Sequence, residues 1–181
     1  MACLGQADSD TLAYRFGLGM GKELRAIGIN MDYAPVLDVH SNPINPIIGQ
    51  RSLDTDPKKV ARLGAELIRG FYDAGVIPVG KHFPGHGDTS QDSHLTLPRV
   101  ERTRESLEKT ELIPFAHAIQ QGLEVIMSAH VVYPAWDAEQ PATFSPTIMN
   151  ELLRKTLQFD GLLISDDLEM QAIDQKLESI P

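Results

Sequence analysis

Gly28, Gly75, Gly122 and Gly161 each stand at or just before the start of a short, largely apolar run. Those runs, residues 29–36, 76–82, 124–130 and 161–165, have the length and content of buried strands. The segments between them read as helices. Residues 57–73 carry Asp56 as a cap and Pro57 at the first helical position, and Gly75 stops them. Residues 106–121 end at Gly122, and residues 146–157 follow Ser145 as a candidate cap. Ahead of the first strand, residues 11–26 have Leu12, Phe16, Met20, Leu24 and Ile27 at three- and four-residue spacing. Gly17, Gly19 and Gly21 weaken that helix and would allow close packing. Residues 167–176 begin a further helix. A chain that alternates strand and helix in this way predicts repeated β-α units on a parallel sheet.

A parallel sheet brings the C-terminal ends of its strands to one side. Here those ends are polar: Asp38, Lys81-His82, His130 and Asp166-Asp167. In a (β/α)8 barrel that side is the catalytic face, and in an open doubly wound sheet it is also where ligands bind. There is no GxGxxG fingerprint and no phosphate-binding P-loop, so a nucleotide cofactor is not expected. The loop 38–55 is rich in Asn, Pro, Ser and Asp and long for a plain connection, which suggests function. A formal net charge of −9 argues against a nucleic-acid backbone or an anionic membrane surface as partner. No apolar run approaches the ~20 residues of a membrane span. The first residues lack the basic and apolar regions of a signal peptide. With Cys3 the single cysteine, no disulfide forms within the chain.

The chemistry concentrates in two places. Residues 79–94 hold Lys81, His82, His86, Asp88, Asp92 and His94 directly after a strand, with Gly80, Gly85, Gly87 and Pro84 shaping the backbone. In an extended segment Asp92 and His94 project to the same side. A carboxylate beside an imidazole orients the ring and stabilises its protonated form, and such a pair serves as general acid and then general base. A local turn in which Asp92 caps its own backbone is the plainer reading. The second place is the apolar strand 161–165, which delivers Asp166 and Asp167 to its C-terminal end. A carboxylate there can attack an electrophilic carbon, or it can cap the next helix. We assign one role to each, Asp166 as nucleophile and Asp167 as cap.

These motifs resemble the catalytic barrel of the family 3 glycoside hydrolases, and most of all its β-N-acetylhexosaminidase branch. The run Lys81-His82-Phe83-Pro84-Gly85-His86-Gly87 through Asp92-Ser93-His94 is similar to that branch's acid/base loop. Leu152-Leu153-Arg154 followed by Gly161 through Asp166 resembles the wider family's nucleophile signature. Residues 30–39 and 48–53 also resemble family segments. The resemblance implies an α/β fold, a partial (β/α)8 TIM barrel of about four to five β-α units. It implies His94 as acid/base with Asp92 as its partner, and Asp166 as nucleophile. Arg51, Lys81 and His82 would hydrogen-bond the sugar, with His130 and Met127 near the same subsite. The implied reaction is hydrolysis of terminal non-reducing β-linked N-acetylglucosamine by a retaining mechanism, without cofactor or metal; a histidine acid/base also tolerates an anionic acceptor such as phosphate, so glycoside phosphorolysis stays open beside it. Muropeptide sugars in cell-wall recycling or chitin oligosaccharides would be the substrates, and the cytoplasm the setting.

A complete barrel of this kind needs ~250 residues, so residues 1–181 are expected to form one family 3 catalytic domain, incomplete at both ends. Two other readings stand beside this one. In a metal-dependent barrel hydrolase, His82, His86, Asp88, Asp92, His94, His130 and Asp166 would supply ligands. Alternatively, the chain is an inactive barrel fragment acting at most as a binding module. Trp136 is a candidate for stacking on a sugar, with loop packing as the default. Oligomeric state is left open.

Overall fold

The computed structural model describes residues 1–91 and 96–173. Its centre is a parallel sheet of β1 (Met31–Asp32), β2 (Ile77–Phe83), β3 (Val125–Ser128) and β6 (Leu162–Ser165), in the order β1-β2-β3-β6. Met31 pairs with Ile77, Val79 with Val125, and Ile126 with Leu163. The crossovers are helical: α3 (Pro57–Asp73), then α4 (Arg104–Lys109) with α5 (Leu112–Gln120), then α6 (Thr147–Thr156). Two further helices, α1 (Ala2–Ala7) and α2 (Asp10–Ala26), precede β1. Sequential parallel strands joined by helices form part of a (β/α)8 barrel, as expected.

Helix α3 follows directly from its sequence. Asp56 accepts from Lys58 N at 2.9 Å and Pro57 opens the helix. Val60, Leu63, Leu67 and Phe71 recur at three- and four-residue spacing, and all are fully buried. Helix α2 differs from its expected packing. Leu12 and Phe16 are 43% and 41% exposed, and the buried face is Ala13, Gly17 and Gly21. The large residues on this helix look outward because its backbone lies directly against α3. A Cβ on Gly17 would sit 2.4 Å from Leu67 O, and one on Gly70 would sit 2.3 Å from Tyr14 O. Close packing was expected of Gly19 too, but nothing lies within 4 Å of its Cβ position.

The first strand is shorter than the apolar run 29–36. Only Met31 and Asp32 join the ladder, and Val36 makes an isolated parallel bridge to Lys81. The segment still follows β2, since Val79 N donates to Ala34 O and Leu37 N donates to Lys81 O. Pro35 has no N–H to give, which interrupts regular pairing. The helix expected over 106–121 is divided into α4, capped by Thr103, and α5, separated near Thr110. Pro114 lies in the first turn of α5, where a missing N–H costs nothing. Helix α6 is wound as a π-helix, and Ser145 Oγ accepts from Ile148 N at 3.2 Å, the cap expected of it. The antiparallel hairpin β4 (Val132–Tyr133) and β5 (Asp137–Pro141) was not expected. The helix expected over 167–176 is described only as far as residues 171–173.

The main core lies between the sheet and the outer helices, with Ile68, Phe115, Ile126, Leu152, Leu153 and Phe159 at its centre. On the other face of the sheet Val79, Val125 and Met127 form a smaller cluster, edged by Met31, Ile77 and Ile164. No helix among the described residues is long and apolar enough to cross a membrane.

Candidate functional site

The strand ends converge as the alternation requires. Lys81 and His82 are in β2, Met127 is in β3, His130 follows β3, and Asp166 follows β6. A cleft of about 670 Å³ is lined by Tyr33, Lys81, Met127, Ser165, Asp166 and Glu169, among others. A second hollow of about 440 Å³ is lined in part by Tyr33, Pro46, Gln50, Arg51 and Lys81. Lys81 and Tyr33 are common to both, so the hollow that Arg51 lines and the cleft that Asp166 lines share the same lysine. Burial pushes the Lys81 ammonium down from its ordinary range; Arg51 adds to this, and Asp166, Asp38 and Asp32 oppose it.

Asp166 and Asp167 separate as their sequence positions suggest. Asp166 is partly exposed in the cleft, and its Oδ2 lies 4.0 Å from His82 Nε2. Asp167 turns away and its carboxylate accepts from Glu169 N at 2.9 Å, a local turn that starts the next segment. His130 is fully buried with both ring nitrogens engaged: Nδ1 with the Thr143 hydroxyl at 2.8 Å, Nε2 with the Asp167 carbonyl at 2.9 Å. The ring therefore braces the backbone immediately after Asp166. Burial lowers the His130 pKa, with the carbonyl and carboxylates of Asp166 and Asp167 opposing.

The residue that sequence reasoning left out of the site is Asp38. It is fully buried, its Oδ1 accepts from His82 N at 3.1 Å and His86 N at 2.7 Å, and its Oδ2 lies 2.7 Å from His82 Nδ1. Burial alone would raise its pKa, but the attraction His82 exerts when protonated and the hydrogen bonds from both histidines outweigh it and hold the carboxyl below its ordinary value. Its place at the end of the apolar run 29–36 was the available signal, shared with every other strand-end polar residue.

The loop after β2 is pinned as far as residue 89. Asn45 Nδ2 donates to His86 O at 2.9 Å, Gly87 O at 3.0 Å and Thr89 Oγ1 at 3.1 Å, while its Oδ1 accepts from Ile47 N and Ile48 N. Tyr133 donates its hydroxyl to Gly85 O at 2.7 Å. Below the loop, buried Glu111 accepts from Ser41 at 2.8 Å and from Arg102 at 2.9 Å, and Arg102 stands 3.7 Å from Asp88. Desolvation raises the Glu111 pKa against those donors. His86 is a core residue, packed edge-on to His82 and bonded through Nδ1 to Thr89 Oγ1 at 2.9 Å. Burial lowers its pKa to about 4, with the neighbouring His82 adding to the effect. Asp92 and His94 lie outside the described residues. Among the described residues no group of three or more His, Cys, Asp or Glu side chains is placed to hold a metal ion. Trp136 packs on Tyr133 at 5.9 Å between ring centroids and borders the main core, its default reading.

The glycosyl hydrolase family 3 N-terminal domain model matches residues 1–179. The chain belongs to that family. It is 42% identical over 176 residues to beta-hexosaminidase A of Pseudoalteromonas piscicida, covering 91% of this chain and 29% of that protein. Its fold superposes on a family 3 beta-N-acetylglucosaminidase from Paenibacillus sp. str. FPU-7 with a TM-score of 0.94 and 50% identity, covering 95% of this chain and 33% of the other. NagZ from Neisseria gonorrhoeae, solved in complex with N-trifluoroacetyl-D-glucosamine, gives a TM-score of 0.86 at 38% identity, covering 97% of this chain and 53% of that one. The chain thus spans between 29% and 53% of the length of these relatives.

Proposed function

We propose that the chain carries the catalytic residues for retaining hydrolysis of terminal, non-reducing β-linked N-acetylglucosamine. The observation that supports this most is Asp166, delivered by β6 into a cleft it shares with Lys81 and Met127 and facing His82 Nε2 at 4.0 Å. In this reading the Asp166 carboxylate attacks the anomeric carbon while the bond from that carbon to the leaving oxygen breaks. His94, oriented by Asp92, gives its proton to that oxygen. A water then attacks the glycosyl-aspartate, His94 takes the water's proton, and Asp166 is released as carboxylate. A histidine acid/base adds no second negative charge beside the nucleophile. Lys81, His82 and Arg51 would hold the sugar hydroxyls, and His130 keeps Asp166 in place through its bond to the next carbonyl.

Relatives with β-hexosaminidase and β-N-acetylglucosaminidase activity in their names support the choice of sugar. Muropeptide or chitin fragments are the substrates we favour, and the cytoplasm is the setting we propose by the same resemblance. We propose too that residues 1–181 form a single catalytic domain that is part of a longer barrel. The test is release of nitrophenol from p-nitrophenyl N-acetyl-β-glucosaminide by the parent, Asp166→Ala and His94→Ala. Release by the parent and its loss in Asp166→Ala is the expected result. Equal release by parent and Asp166→Ala would remove Asp166 from the mechanism, and a folded parent that releases nothing would count against activity of this chain on that sugar.

A further inference from the structure

Asp38 holds two things at once. Its Oδ1 receives the backbone N–H groups of His82 and His86, and its Oδ2 meets His82 Nδ1 at 2.7 Å. An ionised carboxylate only accepts, so the atom facing Oδ2 carries a proton whatever the state of the ring. That leaves Nε2 as the nitrogen that is free to lose its proton, and Nε2 is the one directed toward Asp166. His82 is itself buried, so the ring has little freedom to choose otherwise.

We propose that Asp38 is a positioning residue for the reaction: it locks His82 with Nδ1 protonated, so that the neutral ring presents Nε2 to the cleft as a hydrogen-bond acceptor beside Asp166. An acceptor there takes a sugar hydroxyl as donor and leaves Asp166 Oδ2 free for attack, while Oδ1 accepts from Asp167 N at 2.9 Å. With the other tautomer, Nε2–H would direct a donor toward the Asp166 carboxylate, 4.0 Å away, and offer no acceptor to the sugar hydroxyl. The inference rests on the reading of Asp166 as nucleophile for its consequence, though not for the tautomer itself.

A purely structural role for Asp38, as acceptor for two backbone N–H groups, is separable by Asp38→Asn. The asparagine oxygen still accepts both N–H groups, but its NH₂ now faces Nδ1. The ring must then accept at Nδ1 and carry its proton on Nε2, the same inversion that the aspartate-to-asparagine change produces in serine-protease triads. The measurement is a long-range ¹H–¹⁵N correlation spectrum of the ¹⁵N-labelled chain, recorded as pH is raised until the ring is neutral. His82 is assigned by the signals lost in His82→Gln. The expected result is a proton on Nδ1 in the parent and on Nε2 in Asp38→Asn. A parent ring with its proton on Nε2, or a folded Asp38→Asn protein with the parent tautomer, overturns the proposal. If Asp38→Asn does not fold, the parent spectrum alone decides. Because the readout is not activity, a chain with the expected tautomers that releases no nitrophenol refutes the proposed function and leaves the role of Asp38 in setting the ring intact.

Discussion

Truncating Asn45 to alanine removes one buried side chain and strands several backbone groups. Its amide donates to His86 O, Gly87 O and Thr89 Oγ1, and its oxygen accepts from Ile47 N and Ile48 N. Each buried group left unpaired costs about 1–3 kcal/mol, less where water enters. Because the residue borders the surface at 7% exposure, water will reach some of these groups. We therefore expect about 3 kcal/mol of destabilisation for Asn45→Ala, a large part of the ~5–15 kcal/mol that holds a domain folded. For a chain of this length that lowers Tm by roughly 6–12 °C. Asn45→Asp keeps the acceptor for Ile47 and Ile48 but sets a second carboxylate oxygen against the His86 and Gly87 carbonyls, and should destabilise at least as much as alanine. Urea denaturation followed by circular dichroism, with a calorimetric scan as check, measures both. A loss below about 1 kcal/mol for Asn45→Ala would refute the reasoning, since it would mean that the loop after β2 is not held by this residue.

Two glycines of α2 should respond in opposite directions. Gly17→Ala drives a Cβ to within 2.4 Å of Leu67 O and should destabilise by more than about 2 kcal/mol, whereas Gly19→Ala meets nothing within 4 Å and should stabilise by about 0.5–1 kcal/mol. Urea midpoints of the two variants test the pair, and equal shifts would contradict the close approach of α2 and α3. His86 gives a pH dependence. Its folded pKa is depressed to about 4 from 6.5, so its contribution is present above pH 6.5 and is lost as pH falls toward 4. The loss is about 3 kcal/mol over that window. Denaturation midpoints at intervals between pH 7.5 and 4 should show this slope in the parent and a shallower one in His86→Gln; equal slopes would show that His86 is not buried neutral.

What was legible in the sequence was what is local. Helix α3 announces itself through Asp56, Pro57 and a regular apolar stripe, and β2, β3 and β6 through apolar runs launched by glycines. The packing of α2 was not legible in that way, because its buried face is built from Ala13, Gly17 and Gly21. A stripe of small residues carries no hydrophobic periodicity: the glycines suggest close packing, but the apolar spacing points to the opposite face, and contact with α3 shows which face is buried. The hairpin β4–β5 was missed for a related reason: Asp137-Ala138-Glu139-Gln140-Pro141 lacks both alternation and β-branched residues, and its pairing depends on Val132 and Tyr133. At the site, Lys81 and Asp166 meet in one cleft, in keeping with their strand-end positions, and Met127, which only the family resemblance suggests, lines the same cleft. Asp38 and His86 were harder. A carboxylate that organises two histidines and one that merely ends a strand look alike until the chain folds over them. His86 shares a cluster with His82, yet it is sealed in the core, and nothing in the spacing of the two histidines separates the one near the cleft from the one beneath it.

The central claim is that Asp166 is the nucleophile, and trapping tests it most directly. The protein would be incubated with an activated 5-fluoro analogue of N-acetylglucosamine, on which the slowed second step lets the covalent glycosyl-enzyme accumulate, and then digested and sequenced by mass spectrometry. The account predicts one sugar per chain, carried by Asp166, with no label in Asp166→Ala. A sugar carried by Asp167, Glu169 or any other residue, with Asp166 unmodified, would contradict it.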